Sequence, residues 1–174
     1  MIYFIRHSEP DYSHLKEDDS FSFAPLSPLT KEGKELAFSL REKVNLENTI
    51  ILSSPYTRAF ETASILANGK DIIIEPLLHE WLPSKKMNIT IKDFRERDRI
   101  FKNKYRKDSS IELDDIESKE EMIERMNFVL KKYKDCKKDL VIVAHSRLIG
   151  VFFESIGKNI PPMKYCEIVS LKKI

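Results

Sequence analysis

The sequence predicts an α/β fold, a three-layer α/β/α sandwich in which helices cover both faces of a mostly parallel sheet. Short apolar runs alternate with amphipathic stretches along the chain. The apolar runs are continuous rather than alternating with polar residues, which is typical of strands that are buried on both faces. The chain has 174 residues, a length that suits one domain, so we expect a single domain over 1–174.

Four apolar runs predict buried strands, and one extended segment near the end of the chain predicts an edge strand. The four runs are residues 2–5, 49–54, 71–75 and 139–145. Their continuous apolar character indicates a parallel arrangement. The predicted edge strand is the segment CEIVSL at 166–171.

Capping residues predict where three of the helices begin. Thr30 is the expected N-cap of the first helix. Ser54 is the expected N-cap of the second helix, with Pro55 at its first helical position. Ser118 and Glu121 have the spacing of a capping box at the start of a third. The residues expected to face inward are Leu36, Leu40 and Val44 in the first helix, Ala59, Ala63 and Leu66 in the second, and Met122, Met126, Val129, Leu130 and Tyr133 in the third.

Composition excludes several classes of partner and compartment. Thirty basic against 28 acidic residues give a net charge of +2, too balanced to indicate nucleic-acid binding. No apolar run approaches the ~20 residues of a membrane span, and the N-terminus lacks the basic segment of a signal peptide. Cys136 and Cys166 stand alone, which indicates a reducing compartment. We therefore expect a cytoplasmic protein with no membrane or nucleic-acid partner.

The spacing of glycine and histidine argues against common cofactors. The four glycines cannot form a dinucleotide-binding turn or a nucleotide-binding P-loop. The four histidines form no zinc-binding pattern. These spacings argue against a nucleotide-binding loop and against zinc, so a bound phosphate would have to be held by cationic side chains and helix N-termini.

Residues 82–117 break the alternation of strands and helices and carry two opposite blocks of charge. Residues 85–107 contain ten basic and three acidic residues, a net charge of +7, and residues 108–124 contain eight acidic residues and one lysine, a net charge of −7. This pattern predicts an inserted, partly helical flap over one end of the sheet. The alternative is a solvated helical face whose two charge blocks partly neutralise each other.

Residues suited to phosphate chemistry follow the predicted strands. Ligands of such sheets bind outside the carboxyl ends of the strands. Arginine can hold a phosphate dianion, imidazole can accept the phosphoryl group and a carboxylic acid can protonate the leaving oxygen. A second, protonated imidazole can stabilise the transition state. The residues at these positions are Arg6 and His7, Arg58, His79 and Glu80, and His145, Ser146 and Arg147. Spacing does not separate Glu80 from its neighbour His79 as the acid, and each residue taken singly has an ordinary structural explanation.

Five segments resemble, in order, the motifs of the histidine phosphatase superfamily, the phosphoglycerate mutase-like group. They are RHSEPDYS, LTKEGKELA, SSPYTRAFETA, LLHEW and VIVAHS. The resemblance runs from residue 1 to about residue 172. It implies that His7 is the nucleophile that becomes phosphohistidine, that Arg6, Arg58 and His145 line the phosphate pocket, and that Glu80 is the proton donor.

Three serines depart from the usual pattern of that superfamily. Ser8 and Ser146 stand where glycine is usual, and a positive φ at either position would cost about 1 kcal/mol or more. Ser13 stands where many members have an asparagine that touches phosphate. The resemblance places Ser146 and Ser13 among the substrate-binding residues.

The function expected from these residues is that of a cofactor-independent phosphomonoesterase acting on a small phosphate ester, or on a phosphoprotein. One alternative is a phosphoglycerate mutase, although only 29 residues follow His145 and only 64 separate it from Glu80. The other alternative is a catalytically weak module that binds phosphate or phosphoprotein, which the changes at Ser8 and Ser146 would favour.

Overall fold

The computed structural model describes residues 1–102 and 115–172, and a five-stranded sheet lies at its centre. The strands are Ile2–Arg6 (β1), Thr49–Ser53 (β2), Ile72–Ile74 (β3), Asp139–Ala144 (β4) and Ile168–Leu171 (β5). Their order across the sheet is β3-β2-β4-β1-β5. β5 is antiparallel to β1, and the other neighbours are parallel. The sheet is therefore mostly parallel with an antiparallel edge, which confirms the predicted fold class and the edge position of the last strand.

Helices cover both faces of this sheet. They are Lys31–Ser39 (α1), Thr57–Ala67 (α2), Ile91–Lys102 (α3), Lys119–Lys132 (α4) and Ser146–Ser155 (α5), with short 3-10 helices at Phe21–Leu26, Leu40–Glu42 and Pro76–Leu78. α1 and α2 pack on one face, against side chains such as Ile5 and Val143. α4 and α5 pack on the other face, against Phe4 and Ile142. Successive residues of one strand thus contribute to two cores, as a doubly covered sheet requires.

The capping residues are confirmed for two of the three helices. The Thr30 hydroxyl accepts a hydrogen bond from the Gly33 amide at 2.8 Å. Ser118 and Glu121 form the complete capping box, with distances of 3.1 and 2.8 Å. The prediction for α2 is wrong, because this helix begins at Thr57 with Tyr56 as N-cap. Ser54 and Pro55 precede it, and the Ser54 hydroxyl contacts a histidine ring instead.

Two predictions of burial are also wrong. The isoleucines of β3 were expected inside a sheet covered on both faces, but Ile73 and Ile74 are exposed because β3 is an edge strand. Leu36 of α1 was expected to face the core and is 38% exposed. The buried face of α1 consists of Gly33 and Ala37, small residues that let the helix lie close to the sheet.

The inserted segment contributes α3, which packs over the Phe21–Leu26 helix. Their contact includes Phe21 and Phe94, whose rings stack with centroids 4.8 Å apart. Two ion pairs, Arg97–Asp115 and Lys85–Glu121, join the basic and acidic blocks at 2.7 Å each. The blocks therefore partly neutralise each other. Residues 103–114, which carry further charged residues of both blocks, lie outside the described residues. Within the two described ranges, no helix is both long enough and apolar enough to cross a membrane.

The register of the sheet brings the ends of three strands together. Arg6 pairs with Ala144 across β1 and β4, and Ser53 pairs with Val143 across β2 and β4. The residues that follow β1, β2 and β4 therefore lie side by side beyond the carboxyl ends of these strands. A parallel sheet binds its ligands at the carboxyl ends of its strands.

Candidate active site

A cavity of about 360 Å³ lies at the carboxyl ends of the parallel strands. Four of the predicted site residues line it, namely Arg6, His7, Arg58 and Glu80. His145 lies directly behind His7, with the two ring centroids 5.0 Å apart. The structure thus brings together five residues that are spread over most of the sequence.

The ring of His7 is held in one tautomer by its two hydrogen bonds. Nδ1 lies 2.6 Å from the carbonyl oxygen of Ser8, and a carbonyl can only accept, so Nδ1 carries the proton. The Nε of Arg58 donates to Nε2 at 3.2 Å. Nε2 therefore has its lone pair available, as a nucleophilic imidazole requires.

Arg58 also contacts the second histidine. Its Nη2 lies 3.5 Å from Nδ1 of His145, and because a guanidinium only donates, that nitrogen is the acceptor. The other ring nitrogen, Nε2, then donates to the Ser54 hydroxyl at 2.8 Å. One guanidinium thus orients both imidazoles, and Ser54 fixes the second from its far side.

The surroundings of both histidines favour the neutral ring. Burial and the positive charge of Arg58 hold the pKa of His7 well below its usual value of 6.5. The pKa of His145 is also held well below 6.5, by complete burial, by Arg58 and by His7. Sequence reasoning assigned a protonated ring to the second histidine. Because its pKa is lowered, the His145 ring would become protonated only when a negative charge, such as a phosphate, lies beside it.

These lowered pKa values predict a pH-dependent stability. Between the folded pKa and 6.5, the unfolded chain binds protons that the folded chain does not, so the stability rises with pH in this window. The stabilisation is complete above about pH 6.5 and is lost as the pH falls towards the folded pKa. Each buried histidine should contribute a slope of up to about 1.4 kcal/mol per pH unit.

Urea unfolding between pH 7 and pH 5 measures this slope. His145→Gln should flatten it, whereas the same change at the exposed His14 is the matched control. A wild-type slope that His145→Gln leaves unchanged would contradict the assignment.

Arg6, which also lines the cavity, is held by residues near the C-terminal strand. Its Nη1 donates to the carbonyl oxygen of Met163, and its guanidinium lies 4.1 Å from the centre of the Tyr165 ring. Its Nε is buried and has no hydrogen-bond partner among the described residues. A buried donor without a partner is costly, so Arg6 retains donor capacity that an anion in the cavity could use.

Besides Glu80 and His79, Glu9 lies close to His7 in the sequence and is a third candidate for the acid. Within the described part of the chain, only Glu80 of these three lines the cavity. Its Oε1 accepts from the amide of Trp81 at 2.9 Å, which holds the half-buried carboxyl in place. Nδ1 of His79 lies 2.7 Å from the Glu80 carbonyl oxygen, and Glu9 accepts from the Thr30 hydroxyl at 2.9 Å. The geometry therefore favours Glu80 over His79 and Glu9 as the proton donor.

The sequence profile of the histidine phosphatase superfamily (branch 1) matches residues 2–168 of this chain. The chain belongs to this superfamily. This confirms the resemblance carried by the five motifs. No curated protein matches the chain in a sequence search.

Solved structures of phosphatases have the same fold. A mycobacterial glucosyl-3-phosphoglycerate phosphatase has 18% identity and a TM-score of 0.64, with 89% of this chain and 78% of that chain covered. A phosphoserine phosphatase mutant from Entamoeba histolytica, solved in complex with phosphoserine, has 16% identity and a TM-score of 0.64, with 96% of this chain and 87% of that chain covered. A putative alpha-ribazole-5'-P phosphatase from Escherichia coli has 19% identity and a TM-score of 0.63, with 90% of this chain and 79% of that chain covered. At these identities the similarity is one of fold.

The serines that depart from the superfamily pattern are unstrained. Neither Ser8 nor Ser146 has a positive φ. The Ser8 hydroxyl donates to the carbonyl oxygen of Gly33 at 2.6 Å, and the Ser146 hydroxyl accepts from the Met163 amide at 3.1 Å. Ser13 is exposed, and its amide donates to Asp11. Ser13 and Ser146 are not among the residues that line the cavity, so the structure does not bring these two predicted substrate-binding residues to it.

Restoring glycine at position 8 should therefore destabilise the protein. Ser8→Gly removes a buried hydrogen bond and adds backbone freedom to the unfolded chain, for a loss of about 1–2 kcal/mol. Ser8→Ala separates the two causes, because it removes only the hydroxyl. The free energy of unfolding, measured with urea, checks the prediction. A Ser8→Gly protein more stable than wild type would show that the serine backbone is strained after all.

The first turn of α1 supports the loop that carries His7. A Cβ atom on Gly33 would lie 2.5 Å from the carbonyl oxygen of Glu9. The amide of Thr30 donates to that same oxygen at 3.0 Å. Glycine at position 33 is thus required by the close approach of helix and loop, and the position of the loop after β1 depends on it.

Sequence reasoning missed the tyrosines of the cavity. Tyr12, Tyr56 and Tyr165 line it together with Arg6, His7, Arg58 and Glu80. Burial raises the pKa of Tyr56 to about 12, so its hydroxyl stays protonated. Tyr56 could have been noticed as the residue two before Arg58. Tyr12 and Tyr165 lie in irregular segments, where no periodicity indicates which side chains face a site.

Proposed function

We propose that this protein is a cytoplasmic phosphatase that hydrolyses small phosphate monoesters through a phosphohistidine at His7, without a metal or an organic cofactor. One observation carries the proposal. Nδ1 of His7 is bonded to the Ser8 carbonyl oxygen, and Nε2 faces the guanidinium of Arg58. The atom that would attack phosphorus and a group that would hold a phosphate oxygen are therefore adjacent at the cavity wall.

In the first step, the Nε2 lone pair attacks phosphorus and the bond from phosphorus to the ester oxygen breaks. Glu80 gives its proton to the leaving oxygen, so the alcohol departs neutral. Arg58 exchanges its contact with Nε2 for a phosphate oxygen, and Arg6 holds another. The phosphate also brings negative charge beside His145, which favours the protonated form of that ring and stabilises the transition state.

In the second step, a water molecule attacks phosphohistidine and Glu80 accepts its proton. The bond from phosphorus to nitrogen breaks, which restores the free Nε2 and releases inorganic phosphate. Glu80 is again protonated and ready for the next ester. The two steps use one carboxyl in turn as acid and base.

The names of the structural neighbours support a small phosphorylated substrate. One is named for glucosyl-3-phosphoglycerate, one was solved with phosphoserine, and one is named for alpha-ribazole-5'-P. Their substrates share a phosphate ester and differ in the alcohol. A site for any of these esters needs a phosphate-binding end, which in this cavity would contain Arg6, His7 and Arg58.

Release of inorganic phosphate from p-nitrophenyl phosphate and from a panel of alkyl phosphates tests the proposal. We expect turnover without added metal and in the presence of a chelator. Incubation with 3-phosphoglycerate, with and without 2,3-bisphosphoglycerate, tests the mutase alternative. Formation of 2-phosphoglycerate with little inorganic phosphate would replace phosphatase by mutase. Tight binding of phosphate esters without turnover of any of them would indicate a binding module.

A further inference from the structure

One part of the cavity lining is apolar and aromatic. Phe21 and Phe94 form its stacked centre, and Trp81 lies 6.5 Å from Phe94 between ring centroids. Leu15 and Ile91 extend this wall. We call these five residues the aromatic wall. It is where the alcohol part of a phosphate ester would lie when its phosphate is at His7.

The two basic residues near the aromatic wall are already paired. Arg147 forms an ion pair with Asp98, and its guanidinium lies 4.5 Å from the Trp81 ring centre and 4.6 Å from that of Phe101. Arg95 forms an ion pair with Glu17 and is largely exposed. A carboxylate or second phosphate on a substrate would have to compete with Asp98 for Arg147, or with Glu17 for Arg95.

Polar groups for recognising a sugar or an amino acid are also few at this wall. Among the described residues that line the cavity, the uncharged polar side chains are the three tyrosines and the indole of Trp81. The indole Nε1 already donates to the carbonyl oxygen of Glu117 at 2.8 Å. Phe21 and Trp81 are buried, so the apolar area of the wall comes mainly from the partly exposed Leu15, Ile91 and Phe94. Such an area is suited to an apolar, flat group.

We propose that the aromatic wall selects phosphate monoesters whose alcohol is uncharged and carries an apolar, flat group such as an aryl ring. This inference rests on the proposed phosphatase function and names its substrate class. It disfavours esters whose alcohol carries a carboxylate or a second phosphate. The discrimination should come from burial of the ring against the wall and from the engagement of the partly buried Arg147 by Asp98.

Three primary alkyl esters test the selection without a large difference in leaving group. They are benzyl phosphate, ethyl phosphate and phosphoserine, each followed by release of inorganic phosphate. We expect kcat/KM for benzyl phosphate to exceed that for ethyl phosphate by about tenfold or more, as is usual for added apolar contacts. Phosphoserine should fall below ethyl phosphate. Equal values for benzyl and ethyl phosphate, or a preference for phosphoserine, would overturn the proposal.

Variants locate the selection at the wall. Phe94→Ala should lower the benzyl-to-ethyl ratio of kcat/KM about tenfold, and Phe94→Leu, which keeps most of the packing, should lower it less. The matched control is Phe128→Ala, an exposed phenylalanine of α4 that does not line the cavity and should leave the ratio unchanged. Asp98→Asn should raise the phosphoserine-to-ethyl ratio, because it weakens the hold on Arg147. A ratio unaffected by both Phe94 variants would refute the role of the wall.

A binding measurement separates this proposal from the proposed function. Benzylphosphonate and ethylphosphonate cannot be hydrolysed as esters, and calorimetric titration gives their Kd whether or not the protein is a phosphatase. Tighter binding of benzylphosphonate by about tenfold, lost in Phe94→Ala, would support the wall even if no ester were turned over. Equal binding together with normal turnover would leave the phosphatase intact and exclude the selection.

Discussion

Replacing His7 with alanine is expected to abolish phosphate-ester turnover while the protein stays folded. The ring supplies the only protein atom that bonds to phosphorus in the proposed mechanism, so no other side chain can replace it. The side chain lies at the end of β1 against the cavity, with its ring 5.0 Å from that of His145. Its removal leaves a small space next to Arg58 rather than a break in either core.

The covalent intermediate gives a second readout of the same residue. Wild-type protein quenched in base during turnover should carry a phosphoryl group that survives alkali and is lost in acid, as expected of a phosphorus–nitrogen bond. His7→Ala should carry none. The matched control is His14→Ala, which changes an exposed histidine outside the cavity. Full activity or undiminished labelling in His7→Ala would refute the mechanism.

Replacing Glu80 with glutamine is expected to reduce turnover of alkyl phosphates by about 10²–10⁴-fold, the usual contribution of a general acid. Glutamine keeps the size of the side chain and an oxygen that can accept from the Trp81 amide. It has no acidic proton to give to the leaving oxygen. The loss should therefore appear in kcat with little change in thermal stability.

The dependence on leaving group distinguishes an acid from a residue that only shapes the cavity. Substrates with good leaving groups, such as p-nitrophenyl phosphate, need little protonation, so Glu80→Gln should slow their phosphorylation step much less. Glu154→Gln is a suitable control, since Glu154 pairs with Lys119 far from the cavity. Equal losses of kcat/KM, which reports the phosphorylation step, for good and poor leaving groups would point to a structural effect. Negligible losses for both kinds of substrate would indicate that His79 or Glu9, and not Glu80, is the acid.

Short sequence patterns predicted most of the helices and strands, because residues close together in the sequence determine where these elements form. The Ser118 capping box joins groups three residues apart, and the apolar run of β4 reflects burial on both faces of the sheet. Ser54 was assigned to the wrong role because its hydroxyl bonds to a ring 91 residues away. The exposure of Ile73 and Ile74 follows from strand order, which no single strand specifies.

The candidate site was predictable where residues directly follow strands. Arg6, His7 and His145 come next to strand ends, so the fold alone brings them to one edge. The contact of Arg58 with both histidines was not predictable, because it depends on how α2 is rotated against the sheet. The aromatic wall was also missed, since it forms only when α3 packs on the Phe21–Leu26 helix.

The close approach of Gly33 to the carbonyl oxygen of Glu9 limits which residues position 33 can accept without loss of activity. No residue of α1 lines the cavity, and the flanking Glu32 and Lys34 are exposed, so most of this turn is free to vary. A methyl group at position 33 would instead displace the loop that carries His7, the proposed nucleophile, and small misalignments cost large factors in rate. Such a variant could remain folded yet slow, and a screen for stability alone would retain it.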